Sequence, residues 1–204
     1  MAPAVPDPIS QGRIIAIARH LDPDRAGDLA RALAAGGVDV LEVTMDSPNP
    51  GRAIRNAAFS LTVGAGTVMN RDHAESAVAA GAVFLVSPHV SVPLIEWGSL
   101  HGVAMIPGAL SPTEIVTAFE AGAAAVKVFP ISVGGPQLVR EIRGPLPHIP
   151  LIPSGGITIE DGPALLAAGA IAIGVGSWLT GHPDLDVVQA RAVELVAACR
   201  AVTT

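Results

Sequence analysis

Short apolar runs recur along the chain, and Ala-rich stretches of helical spacing lie between them. The apolar runs predict strands near Arg13–Ala18, Val38–Met45, Thr62–Ala65, Val83–Val86, Val103–Ile106, Ala124–Val128, Leu151–Pro153 and Ala170–Val175. The segments between them predict helices over Asp24–Ala35, Gly51–Phe59, Asp72–Ala80, Val92–Leu100, Pro112–Ala121, Pro136–Ile142 and Glu160–Ala168, with a last helix over Asp184–Ala201. Ala-Gly-Gly or Ala-Gly-Ala stands before four of the strands, at Gly36-Gly37, Gly81, Gly122 and Gly169. Glycine suits the left-handed position just past a helix C-terminus.

Strand and helix alternating eight times predict a parallel β/α architecture. A doubly wound open sheet would show a Gly-rich turn after its first strand, but Arg19-His20-Leu21-Asp22-Pro23 stands there. The expectation is therefore an α/β chain folded as a (β/α)8 TIM barrel, one domain over residues 1–204. The proline-rich residues 1–9 are expected to be flexible or a short N-terminal extension.

Composition narrows the function. Half the residues are apolar and only 3% aromatic, so the core must be built from Ala, Val, Leu and Ile. A formal charge of −6 without a basic cluster argues against nucleic acid or an anionic membrane as partner. Cys199, the single cysteine, has no internal disulfide partner and reads as a packed hydrophobe. With no signal-peptide pattern and no apolar stretch of membrane-spanning length, a cytoplasmic protein is expected.

Active sites of this fold lie at the C-terminal ends of the strands, and the unusual residues fall there. Lys127 is the only lysine, inside the apolar run Ala123–Pro130. Removing an ammonium from water is costly unless it deprotonates, so the pattern suggests a neutral amine used as a nucleophile. The alternative is a lysine reaching from a strand end to solvent. Alternation places Ala125, Lys127 and Phe129 on one face of the sixth strand; if Val126 and Val128 pack against helices, Lys127 points into the barrel.

Glu42, between Leu41 and Val43, is the second anomaly: a proton shuttle for imine chemistry, or an ion-pair partner for an arginine such as Arg19. Glu42, Thr44 and Asp46 alternate and should share a face. Ser154-Gly155-Gly156-Ile157 and Gly174-Val175-Gly176-Ser177-Trp178 end strands seven and eight, where barrels often bind phosphate, although glycine turns are common without a ligand. Arg19 could clamp a carboxylate or be an ordinary surface arginine. The histidines show no metal-ligand spacing, and no Walker-type Gly-Lys-Ser/Thr is available.

Taken together, these segments resemble the 2-keto-3-deoxy-6-phosphogluconate aldolase / 4-hydroxy-2-oxoglutarate aldolase family. The matching stretches are Leu41-Glu42-Val43-Thr44, Val63–Val68, Val86-Ser87-Pro88-His89, Ile106-Pro107-Gly108, Ser111–Glu114, Val126-Lys127-Val128-Phe129-Pro130, Gly134–Gln137, Ile152–Ile157 and Gly174–Ser177. The resemblance implies a lyase that cleaves a 2-keto-3-deoxy-6-phospho sugar acid, or 4-hydroxy-2-oxoglutarate, through a lysine Schiff base; the rival enzyme class is a phosphate-binding barrel isomerase or decarboxylase acting without an imine. It implies Lys127 as the Schiff-base residue and Glu42 as the acid/base. Arg19 and Thr67 correspond to the pyruvate-carboxylate groups, Pro88 and Phe129 to further substrate contacts, and Gly155, Gly156, Gly176 and Ser177 to the phosphate cradle. No metal or cofactor and a homotrimeric assembly are implied too. Many members carry an arginine where this chain has Asp46, in Met45-Asp46-Ser47-Pro48. Relatives acting on the galactonate epimer have a polar residue followed by Ser-Pro there. The departure leaves the carboxylate clamp to Arg19.

Overall fold

The computed structural model describes residues 3–202. Eight parallel strands form one sheet: β1 (Ile14–Ala18), β2 (Val40–Thr44), β3 (Thr62–Gly66), β4 (Phe84–Ser87), β5 (Ala104–Ala109), β6 (Val126–Val128), β7 (Leu151–Pro153) and β8 (Ile173–Val175). Their order is β7-β6-β5-β4-β3-β2-β1-β8, so β1 to β7 pair in sequence order and β8 returns to pair with β1. The edges of this curled sheet meet through one bridge, Ser154 to Gly174, and a hydrogen bond of 3.0 Å from the Ile171 amide to the Leu151 carbonyl. The result is the single-domain TIM barrel that the alternation predicts.

Around the strands run α2 (Ala26–Ala35), α3 (Pro50–Ala57), α4 (Arg71–Ala79), α5 (Val92–His101), α6 (Pro112–Glu120), α7 (Gly135–Arg143), α8 (Asp161–Ala167) and α10 (Leu185–Arg200). Local chemistry starts and stops them. Asn49, Asn70 and Ser111 cap α3, α4 and α6 by accepting backbone N–H groups, and Ser111 with Glu114 completes a capping box. Gly37, Gly81, Gly122 and Gly169 all take positive φ, as the Ala-Gly signals predict.

The strands separate two apolar layers. Residues such as Leu41, Val43, Val126, Val128, Leu151 and Ile173 pack outward against the helices. Ile15, Ile17, Val40, Phe84, Val86, Ile106, Ala125 and Ile152 fill the barrel interior. Two elements escape the periodicity. The proline-rich start, expected to be flexible or a short extension, folds from Asp7 as α1 (Asp7–Gly12). Its Ile9 is fully buried in the interior layer with Ile15 and Val40, and this burial fixes the segment. The one-turn helix α9 (Ser177–Thr180) after β8 is too short to show a helical repeat. No helix among the described residues is long and apolar enough to cross a membrane.

Candidate active site

Strand parity puts Glu42 inside the barrel, because its neighbours Leu41 and Val43 belong to the outer layer. The register aligns Ile17, Glu42 and Gly64 across β1, β2 and β3. The Glu42 carboxylate occupies the space above Gly66: a Cβ there would lie 1.8 Å from its Oε1. Gly64, two residues earlier, makes room in the same way for the Phe84 ring, whose atoms would come within 2.3 Å of an added Cβ. The Gly64-Ala65-Gly66 strand is thus a pair of notches in the barrel wall.

Glu42 is 2% exposed, and its Oε1 has no hydrogen-bond partner among the described residues. Sequence reasoning allowed it an ion pair with Arg19; the structure gives Arg19 to Asp46 instead. A buried carboxylate oxygen without a partner is costly, so its retention needs a use.

Lys127 lies opposite, on β6, in register with Gly108 and Ile152. Val126 and Val128 take the outer layer, and Lys127 is 6% exposed on the inner face. It is therefore not a lysine reaching to solvent from a strand end. Its Nζ stands 5.1 Å from the centroid of the Phe129 ring, and no described carboxylate lies within 4.0 Å of it. Lys127 and Glu42 share one narrow crevice with Ile17, Ser154 and Gly174.

Lys127 also opens on a larger cavity of about 570 Å³ at the C-terminal ends of the strands. Arg19 lines its side near β1, and Gly155, Gly156, Gly176 and Ser177 line its side near β7 and β8. Gly155 and Gly156 have φ of +105° and +78°, a backbone path that a side chain would strain. A Cβ at Gly176 would meet nothing within 4 Å, which leaves its backbone bare toward open space. Two successive loops thus present backbone rather than side chains to one end of the cavity, an arrangement suited to an anion.

The three loops after β1, β2 and β3 meet beside this cavity. Arg19 Nη1 donates to Asp46 Oδ2 at 3.1 Å and to Thr67 Oγ1 at 3.4 Å. Asp46 does not continue the inward face of β2, because the strand ends at Thr44 and the chain turns. Burial by itself would raise the Asp46 pKa. The Thr44 hydroxyl, the Arg19 guanidinium and His20 together outweigh that and hold it below the ordinary value.

Pro88 packs under Gly108, where an added Cβ would come within 2.6 Å of its carbonyl, and it lines neither cavity. Thr67 likewise stands outside both linings and meets the site only through Arg19. Ser154, Thr158, Trp178 and Thr180 also line the larger cavity; the sequence marks Ser154 and Trp178 only as members of the glycine-rich strand ends, and Thr158 and Thr180 not at all. Ser154 had a usable signal, a polar residue closing a buried strand; Thr180 rides on α9, which had none. Among the described residues no three His, Cys, Asp or Glu side chains gather as a metal-binding group.

The family model described as KDPG and KHG aldolase matches residues 5–199. The 2-dehydro-3-deoxy-phosphogluconate aldolase of Pseudoalteromonas atlantica is 36% identical over 90% of this chain and 86% of its own. The probable 2-dehydro-3-deoxy-6-phosphogalactonate aldolase of Rhizobium meliloti is 34% identical over 97% of this chain and 96% of its own. Among solved structures, the KDPG aldolase of Legionella pneumophila, with pyruvate captured as a covalent carbinolamine, superposes with a TM-score of 0.76 at 28% identity, covering 97% of each chain.

Proposed function

The chain belongs to the KDPG and KHG aldolase family, and from that we propose a substrate and a mechanism for it. The reaction is the reversible cleavage of a 2-keto-3-deoxy-6-phospho sugar acid, of gluconate or galactonate type, to pyruvate and glyceraldehyde 3-phosphate. The observation that carries the reading is the pairing of a buried, unpaired amine at Lys127 with a buried, unpartnered carboxylate oxygen at Glu42 in one crevice. Imine chemistry needs both groups.

Neutral Lys127 attacks the C2 ketone and forms a carbinolamine. Loss of water gives an iminium, and Glu42 moves the protons that this step requires. Glu42 then takes the C4-hydroxyl proton. The C3–C4 bonding electrons flow toward the iminium, releasing the aldehyde and leaving an enamine. Protonation of the enamine at C3 and hydrolysis of the imine release pyruvate and restore the amine. The Legionella relative holds pyruvate as a carbinolamine, the last covalent species of this sequence before pyruvate is released.

Arg19, with Thr67 behind it, receives the carboxylate, and Gly155, Gly156, Gly176 and Ser177 receive the phosphate. The Phe129 ring walls the amine on one side. Binding at both ends holds the C2 carbonyl against Lys127 and supplies orientation. The iminium is itself the electron sink, so the proposal includes no metal or cofactor. A homotrimer in the cytoplasm completes it, as the family resemblance implies; sedimentation tests the assembly.

Borohydride reduction in the presence of pyruvate should attach a three-carbon adduct to Lys127, seen by peptide mass. Lys127→Arg should form no adduct and lose turnover to background. Absence of the adduct in the wild-type enzyme would sink the imine. 4-Hydroxy-2-oxoglutarate, which the family name also covers, carries no phosphate. Specificity constants for the two substrates separate them, because only the phosphorylated one uses the glycine turns.

A further inference from the structure

We infer that Asp46, which stands where the family resemblance expects an arginine, is a positioning residue that holds Arg19 for the substrate carboxylate. The inference deepens the proposed function and rests on its assignment of Arg19 to that carboxylate.

Strand register sets the arrangement. Ala18 pairs with Val43, and Thr44 pairs with Gly66. The residues just past those pairs, Arg19, Asp46 and Thr67, are therefore brought together on the rim by the ladders beneath them. Further bonds tie the loops. The Leu21 amide donates to Ser47 Oγ at 3.0 Å, Thr44 Oγ1 donates to the Ala18 carbonyl at 3.2 Å, and the Met45 amide donates to the Gly66 carbonyl at 2.8 Å. His20 Nδ1 lies 3.3 Å from the Asp46 carbonyl. The Asp46 backbone is thus fixed independently of its side chain.

The side chain contacts only one corner of the guanidinium. Asp46 and Thr67 both use Nη1, and neither Nη2 nor Nε of Arg19 has a partner among the described residues. That free edge is the bidentate edge a carboxylate prefers. Arg19 borders the same cavity as Lys127. Asp46 and the incoming carboxylate would then lie on different edges of one delocalised cation, which shares its charge between them. An arginine side chain that is 49% exposed is otherwise free to swing over many rotamers. The tether removes that freedom before the ligand arrives.

The test is calorimetric titration with pyruvate and with pyruvamide, its uncharged analogue, on the wild type, Asp46→Ala and Asp46→Asn. Asp46→Ala should weaken pyruvate binding about three- to fivefold, the scale of an exposed ion pair, and leave pyruvamide binding unchanged. Asp46→Asn keeps an acceptor oxygen but loses the charge, and should fall between the wild type and Asp46→Ala. Unchanged or tighter pyruvate binding in Asp46→Ala would overturn the inference, tighter binding marking Asp46 as a competitor for Arg19. An equal loss for pyruvamide would overturn it too, since the effect would then not concern the carboxylate. Borohydride trapping on the same samples reads the imine separately, so failure of the proposed function and failure of this inference give different results.

Discussion

Lys127 and Glu42, inside the barrel, are placed by strand alternation and closed in by Gly66, Ser154 and Gly174. Arg19, Asp46 and Thr67, on the rim above them, keep much of their exposure and are placed by one another and by loop hydrogen bonds. The interior groups are short of partners; the rim groups are rich in them. An unpartnered buried group is poised to react, whereas a partnered exposed group is set to recognise. On the proposed function, the covalent chemistry and the selection of ligand are thus separated by only a few residues along each strand.

The largest break in this contrast should come from Glu42→Gln. It keeps the shape of the interior and removes the proton shuttle, and turnover should fall about 10²- to 10⁴-fold with little change in KM. A kinetically silent change would remove Glu42 from the mechanism. Gly66→Ala should come next. Its methyl would claim the space of Glu42 Oε1, so the acid must move, and a displacement near an ångström costs about 10²-fold in rate. Crystallographic displacement of Glu42 together with lost turnover would support the notch; full activity would dismiss it.

Gly176→Ala acts on the phosphate end alone. Its methyl enters open space, so the melting temperature should hold. KM for the phosphorylated substrate should rise about tenfold, the scale of one lost charge-assisted hydrogen bond. Borohydride trapping with pyruvate, which has no phosphate, should be untouched. The smallest effect belongs to the rim. Because the folded protein lowers the Asp46 pKa below its ordinary 3.8, the ionised side chain stabilises the fold above that value. The contribution is lost as pH falls through the lowered value. Any excess melting temperature of the wild type over Asp46→Asn at neutral pH should therefore vanish on strong acidification. A gap that persisted there would have another origin.

The same division governs what the sequence discloses. Lys127 and Glu42 could be found because a charge inside an alternating apolar strand breaks the pattern, and parity then states the direction in which it points. The barrel was legible for a related reason, since eight repeats of one unit reinforce each other. Asp46 obeyed the alternation on paper, but β2 ends at Thr44, and the turn takes Asp46 out to meet Arg19. A strand end set by pairing with Gly66 cannot be read from the spacing of β2 alone. The helical start at Asp7 was hidden because its six residues carry one anchoring side chain, Ile9, whose burial depends on a barrel floor formed by distant strands. Thr180 was missed with α9, whose single turn is shorter than any helical repeat.

The join between β7 and β8 has a thermodynamic meaning beyond its shape. Five residue pairs link β2 to β3, whereas the β7 and β8 edges are joined by one bridge, Ser154 to Gly174, and the Ile171–Leu151 hydrogen bond. The two glycine turns stand on opposite sides of that thin seam, one following each strand. On the proposed function, a phosphorylated ligand held by both turns would also be a clasp across the seam, drawing part of its affinity from the joined edges. By linkage, the same ligand must slow the opening of the seam, so amide-hydrogen exchange at β7 and β8 becomes a gauge of occupancy.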